Sequence, residues 1–326
     1  MTRRAFVVRR VAQAVLVIWL SYTLVFAVLF ALPGNPIGDK ITNPLNPLPE
    51  SVVRPLIEYY DLDLTLLEQY VVTLGRTLTG DLGYSLVSGI PVTELLAQGL
   101  SETLALAALA LFFSVLLALG IALTAVFFPV AAVRSVVRAL PAVFLSTPSF
   151  LVGFVLLVVF SFQLGWVSSI RDQGLASYVL PALTLAIAVN APIAQVLIQG
   201  LSRARGEPFV TVLKAKGVPP VTIAGRHILK NGSIPALTLT ALTVGDLLAG
   251  ATIVETIFNR TGIGLITEQA VREQDTPVVM AIVVLVSTLF VVINLLTDLL
   301  YPVIDPRISL TGSAAPRRVR RRVAVG

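Results

Sequence analysis

Long runs without a single charge leave this chain little choice of solvent. Val11 to Gly38, Thr103 to Val133, Ala139 to Ile170, Gln173 to Ser202 and Thr276 to Thr297 contain no Asp, Glu, Lys or Arg. Ser233 to Ile257 is interrupted only by Asp246 and Glu255. A backbone in hydrocarbon must satisfy its own hydrogen bonds, so such segments cross a bilayer as helices of about 20 mostly apolar residues. The pattern predicts an all-α membrane protein with six transmembrane helices, near 10–32, 103–127, 139–162, 178–200, 234–257 and 278–302. Composition agrees, since 56% of the 326 residues are hydrophobic and 13% charged, roughly half the charged share of a soluble domain.

Orientation follows from where the cations fall. With the N-terminus inside, the cytoplasmic segments hold Arg3, Arg4, Arg9, Arg10, Arg134 and Arg138, every Lys and Arg of 203–230, and Arg307 with the 317–322 cluster. Only Lys40, Arg54, Arg76, Arg171, Arg260 and Arg272 lie outside. Both termini are therefore expected in the cytoplasm, and the protein in the inner (plasma) membrane. The apolar core of the first span exceeds a signal-peptide core and no A-x-A site follows it, so it reads as an uncleaved anchor. The net charge of +6 is concentrated beside the membrane, where anionic headgroups are its natural counterpart; nucleic acid is not expected as a partner.

The spans divide the chain into 1–32 (N-terminus and first span), 33–102 (an extracytoplasmic segment), 103–307 (a five-helix core) and 308–326 (a basic cytoplasmic tail). In the outer segment apolar residues recur at helical spacing from Pro49 to Leu78, which predicts short helices there. Within the core, the cytoplasmic loop 201–232 reads as two short helices. Pro208 suits a first helical position, Lys214 and Lys216 complement the dipole of a last turn, Gly217 suits a left-handed C-terminal cap, and Pro220 can open the second helix. The apolar face of this unit needs cover from the protein's own helix ends or from a partner.

Catalytic chemistry is absent from the pattern. There is no cysteine and a single histidine, His227, so thiolate sites, multi-histidine metal sites and an intramembrane Ser-His dyad are excluded. No G-x-x-x-x-G-K-[ST] loop is present to cradle a nucleotide. Asp246, in the middle of the fifth span, is expensive in lipid and marks either a translocation path or a hydrogen-bonded structural carboxyl. Glu255, near a span end, is expected to pair at the interface. Ala110, Ser114, Ala118 and Ala122 recur every four residues, a spacing that lets membrane helices approach closely. An ion-coupled secondary transporter would show paired inverted repeats, and no internal repeat is visible. A purely structural scaffold would leave Asp246 unexplained.

An ordered series of motifs resembles one family. It runs through Leu32-Pro33-Gly34-Asn35-Pro36, Gly80-Asp81-Leu82-Gly83-Tyr84-Ser85 with Pro91-Val92, Ser149-Phe150-Leu151-Val152-Gly153, and Leu180-Pro181-Ala182-Leu183. Glu207-Pro208-Phe209-Val210-Thr211 with Lys214-Ala215-Lys216-Gly217 follows, then His227 to Asn231, Ile234-Pro235, Gly250, Glu255, Gly262 and Gly264, and finally Asp305-Pro306-Arg307. The series is similar to permease subunits of binding-protein-dependent ABC importers, in particular the dipeptide/oligopeptide/nickel group and the first permease of its pair. The resemblance implies a type I importer permease fold and no enzymatic activity or cofactor in this chain, ATP and Mg being held by partner ATPases. It also implies a second homologous permease, two cytoplasmic ATPase subunits and an extracytoplasmic substrate-binding protein as partners. Glu207, Phe209, Val210, Leu213, Lys214, Ala215, Lys216 and Gly217 would then form the ATPase-coupling helix. The implied cargo is a di- or oligopeptide, with nickel, glutathione or sugars as alternatives. The family usually carries an Asp-Tyr pair where Glu207, Pro208 and Phe209 stand, and an arginine-rich approach at Gln195 and Gln199.

Overall fold

The computed structural model describes residues 3–30, 54, 59–60, 64–167 and 174–304. The Leu32–Pro36 motif, most of the segment from Pro49 to Asp63, and the basic tail lie outside the described residues. Among those described there are helices and one isolated antiparallel bridge, Tyr84 to Pro91, and no strand.

The helices in chain order are α1 (Arg3–Phe30), α2 (Leu66–Leu78), α3 (Val92–Phe127), α4 (Ala131–Ser146), α5 (Ser149–Leu156), α6 (Val179–Arg205) and α7 (Pro208–Ala215). Then come α8 (Pro220–Thr222), α9 (Leu229–Gly232), α10 (Ile234–Ile257), α11 (Ile263–Arg272) and α12 (Thr276–Ile304). Five of these are long and apolar enough to cross a membrane, and the pair formed by Ala131–Ser146 and Ser149–Gln163 makes up a sixth candidate.

Two of the six expected spans differ from straight rods with the predicted ends. α3 has 36 residues, about 54 Å at 1.5 Å per residue, well beyond the 30 Å of hydrocarbon. It begins at Val92, just after Pro91, rather than near 103, because Val92, Leu96, Gly99 and Thr103 are buried while Glu94, Gln98 and Glu102 fall between them. The expected span 139–162 is bent by 105° between α4 and α5. Pro148, which lacks an N–H, stands at the break. Thr147 Oγ1 and Ser146 Oγ donate 2.8 Å hydrogen bonds to the carbonyls of Val143 and Ala142, satisfying acceptors in the last turn. After α5 the chain continues as a π-helix, Leu157–Gln163.

The most extensive helix pair is α3 with α6. One apolar cluster joins Leu106 and Ala110 of α3 to Leu180, Ala182 and Leu185 of α6, and to Leu247, Ala251 and Val254 of α10. A second joins Ala122 and Val126 to Leu197, Leu201 and Ala204, and to the loop residues Val210, Ile223 and Ile228. α1 stands apart from this core. It packs on α12 and α2 through Tyr22, Phe26, Tyr70 and Met280, with Thr23 Oγ1 and Tyr70 Oη 2.8 Å apart.

Candidate functional site

The end of the bundle that carries residues 125–138 and 201–235 is built around the C-terminus of α3. The last carbonyls of a helix lack intrahelical donors, and here arginines supply them. Arg138 Nε donates to Ala125 O at 3.2 Å, and Arg134 Nη1 donates to Phe128 O at 2.8 Å and Pro129 O at 3.0 Å. Arg205 of α6 donates to Val126 O and lies 5.6 Å from the Phe127 ring centre. Cations at a helix C-terminus also complement its dipole.

Beside this cap sits the short helix α7, whose two ends follow directly from its sequence. Pro208 occupies the first helical position after an extended Glu207, where a missing N–H costs nothing. At the other end Gly217 takes φ +74°. Gly217 N–H donates to Lys214 O at 3.0 Å and Val218 N–H to Leu213 O at 3.1 Å. That pair of bonds is a Schellman motif, which requires a left-handed residue that glycine supplies at little cost. Val210 is 3% exposed and, with Phe209 and Leu213, packs into the cluster beneath α3 and α6. Thr211, Val212, Lys214, Ala215, Lys216, Gly217 and Glu207 are exposed. α7 therefore presents one buried apolar face and one free face of mixed apolar and basic character.

The return from α7 runs through α8, a π-helix over Ile223–Ile228, and α9. Gly232 of α9 meets Gly200 of α6 backbone to backbone: a Cβ at Gly232 would lie 2.8 Å from the Gly200 carbonyl. A cleft of about 930 Å³ opens beside this crossing, lined among others by Gln199, Arg203, Glu207 and Asn231.

The small-residue stripe lies within the same framework. Ala110, Ser114, Ala118 and Ala122 are each 0% exposed, and three of them belong to the clusters that join α3 to α6. Asp246 takes the opposite situation: it is exposed on α10, on a face shared with Leu242 and Ile253, which are 42% and 48% exposed.

The opposite end of the bundle holds polar clusters that sequence reasoning missed. Glu255, two residues from the end of α10, is 0% exposed and accepts from Thr103 Oγ1 at 2.7 Å and from Gly264 N–H at 2.7 Å. Next to it, Glu102 accepts from Arg260 Nη2 at 2.6 Å and Tyr178 Oη at 2.7 Å, with the Arg260 guanidinium 4.3 Å from the Tyr178 ring centre. Asp275, 3% exposed, accepts from Ser85 Oγ at 2.5 Å and Leu86 N–H at 3.1 Å. Burial pushes the Asp275 carboxyl above the usual carboxylate range, against the pull of these donors. The partners in these clusters are distant in sequence, so no local spacing points to them. The available signals were glutamates and an aspartate placed at the margins of apolar runs, and the presence of Ser85, Glu255 and Gly264 in the motif series.

Comparison with known proteins bears on the whole chain. The model of the family described as "Binding-protein-dependent transport system inner membrane component" matches residues 114–310. A probable peptide ABC transporter permease of Sinorhizobium fredii is 31% identical over 312 residues, covering 93% of this chain and 98% of that protein. The glutathione transport system permease of Escherichia coli K12 is 30% identical over 303 residues, with the same two coverages, 93% and 98%. Among solved structures, an amino acid ABC transporter covers 66% of this chain and 95% of its own, at 20% identity and a TM-score of 0.48.

Proposed function

Because the chain belongs to the binding-protein-dependent transport system inner membrane components, a family of non-enzymatic permease subunits of ABC importers, we propose that it forms half of a peptide translocation path and takes its power stroke through α7. The other half would come from a second homologous permease, the energy from two ATPase subunits that hold ATP and Mg, and the cargo from an extracytoplasmic substrate-binding protein. On this reading the arginine-rich end and both termini face the cytoplasm, in line with the distribution of Lys and Arg. The domain boundaries follow: an outer segment at 33–102, a core at 103–307 with the coupling loop at 201–232, and a basic tail at 308–326.

The single observation that carries the coupling role is the two-faced geometry of α7. Its inner face is buried among α3 and α6, so a push on the helix is delivered to spans rather than lost in a loose loop. Its outer face leaves Val212 52% exposed with Lys214 and Lys216 beside it, an apolar spot edged by cations that suits a groove on a soluble subunit. Glu207, Phe209, Val210, Leu213, Lys214, Ala215, Lys216 and Gly217 are the residues assigned to this contact, the buried ones seating the helix and the exposed ones meeting the partner. Substituting Gly217 by valine would force a β-branched residue into a left-handed conformation. The expected result is ATP hydrolysis uncoupled from uptake in the assembled transporter; unchanged uptake per ATP contradicts the assignment.

Asp246 would line the path. A carboxylate exposed on an apolar span is costly against lipid, so its face belongs to water or to the partner permease. Di- and oligopeptides are the cargo that the peptide-permease relative supports. Glutathione, itself a small peptide, is the second reading, supported by the relative of that name. Identifying the ligand that co-purifies with the cognate binding protein decides between them, and a metal complex or sugar in its place excludes both.

A further inference from the structure

The coupling loop is tied to the membrane core at two places, and they differ in kind. α7 rests on side chains: Val210, Phe209 and Leu213 sit in an apolar cluster with Ala122, Val126 and Leu201. α9 rests on backbone. A Cβ on Gly200 would overlap the Gly232 carbonyl oxygen and lie 3.5 Å from the Gly232 Cα, and a Cβ on Gly232 would lie 2.8 Å from Gly200 C and O and 2.9 Å from Leu201 N. Neither glycine has a positive φ, so glycine is not demanded there by backbone conformation. Proximity alone demands it.

Side-chain contacts have rotamer slack, and a helix resting on them can shift by small adjustments of χ angles. Two backbones in direct contact have none: the carbonyl of one helix bears on the peptide of the other, and close-packed interiors transmit such displacements. The neighbours hold the contact from both sides, since Leu201 is 0% and Ile228 2% exposed. Gly225, in the same loop, has nothing within 4 Å of the place its Cβ would take, so the loop is not uniformly intolerant of side chains.

Building on the coupling role proposed above, we infer that Gly200 and Gly232 are positioning residues of the coupling step: their backbone contact makes α6 and the returning arm of the loop move as one body, so that displacement of the loop is passed to α6. A methyl group at either position separates the two helices and loosens this link, leaving the side-chain packing of α7 as the remaining connection between the loop and the span.

The test uses the complete transporter, with its second permease, ATPase subunits and binding protein, in proteoliposomes. Gly200→Ala, Gly232→Ala and the control Gly225→Ala are compared by substrate taken up per ATP hydrolysed, a ratio that a mere fall in the amount of folded protein does not move. The expected result is a ratio about fivefold or more lower for Gly200→Ala and Gly232→Ala, within the range of measured coupling effects, with wild-type behaviour for Gly225→Ala. Ratios equal to the control overturn the inference. A second measurement needs no glycine substitution: spin labels on Ser202→Cys and Lys230→Cys, both exposed in a chain that has no cysteine, report the distance between α6 and α9 with and without ATP. An unchanged distance supports one-body movement, and an ATP-dependent change overturns it. Co-purification separates the two claims. If the ATPases assemble through α7 and only the ratio is unmoved, the glycine inference fails alone; if they assemble without α7, the coupling role fails and takes the inference with it.

Discussion

Thr103 of α3 and Glu255 of α10, 152 positions apart in sequence, share a 2.7 Å hydrogen bond in a site where Glu255 is 0% and Thr103 5% exposed. The pair caps a third helix. Thr103 Oγ1 accepts from Ile263 N–H at 2.9 Å and the second oxygen of Glu255 accepts from Gly264 N–H, so the first orphan donors of α11 are met by side chains from two other helices. The approach leaves no room for a side chain at Gly264, where a Cβ would overlap the backbone of Thr252. Thr103→Val removes a buried donor and acceptor together, and is expected to cost about 1–3 kcal/mol, read as a lower midpoint of thermal unfolding in detergent. An unchanged midpoint contradicts this account of the cap.

Arg260, Glu102 and Tyr178 join the same end of the bundle. The ion pair is half-buried, with side chains 14% and 28% exposed, so it is screened less than a surface pair. A double-mutant cycle on Glu102→Gln and Arg260→Gln is expected to return a coupling energy of about 1 kcal/mol or somewhat more. A coupling of zero would make the contact incidental.

The small-residue stripe carries a prediction with its own control. Ala118 is 0% exposed in a cluster with Ile193 and Ala194 of α6, so Ala118→Leu should destabilise by about 1–3 kcal/mol through overpacking. Gly120, two residues on, has nothing within 4 Å of its would-be Cβ. Gly120→Ala should be neutral or stabilising by up to about 1 kcal/mol. Equal effects at the two positions would contradict close packing on that face alone.

Asp246→Asn tests the path. Uptake of peptides with a free cationic group should fall while uptake of neutral ones is retained. Full uptake of both removes Asp246 from the path.

The junction held by Asp275 should respond to pH with a definite sign. A carboxyl whose folded pKa is raised binds its proton more tightly in the folded state, so the contribution to stability is greatest at low pH and declines as pH rises through the range above the ordinary Asp value. In Asp275→Asn that segment of the pH profile should flatten. A wild-type profile that rises with pH over that range, or an unaltered one in the variant, contradicts the role of burial.

How much of this was legible beforehand depends on whether the cause was local. The ends of α7 are set by Pro208 and Gly217 within one short segment, and the helical character of the spans by runs of apolar residues. The bend at Pro148 was legible in the proline itself, since a proline and its predecessor disfavour helix. The early start of α3 was hidden because charge-counting ends a span at Glu102, whereas the helix continues as long as Val92, Leu96 and Gly99 have something to bury against. Glu255, Asp275 and the Gly200–Gly232 crossing belong to tertiary proximity between segments that no periodicity relates.

The central claim, that α7 is the contact through which separate ATPases drive this permease, is tested most directly by cross-linking. The native chain has no cysteine, so a single Val212→Cys on the free face of α7 gives an unambiguous origin for any product. In the assembled transporter, a reagent with a thiol-reactive end for this cysteine and a photoreactive end should join this position to an ATPase subunit, with a yield that changes when ATP is bound. A product formed only with the extracytoplasmic binding protein, or labelling of the introduced thiol by an impermeant reagent from outside intact cells, would contradict the account.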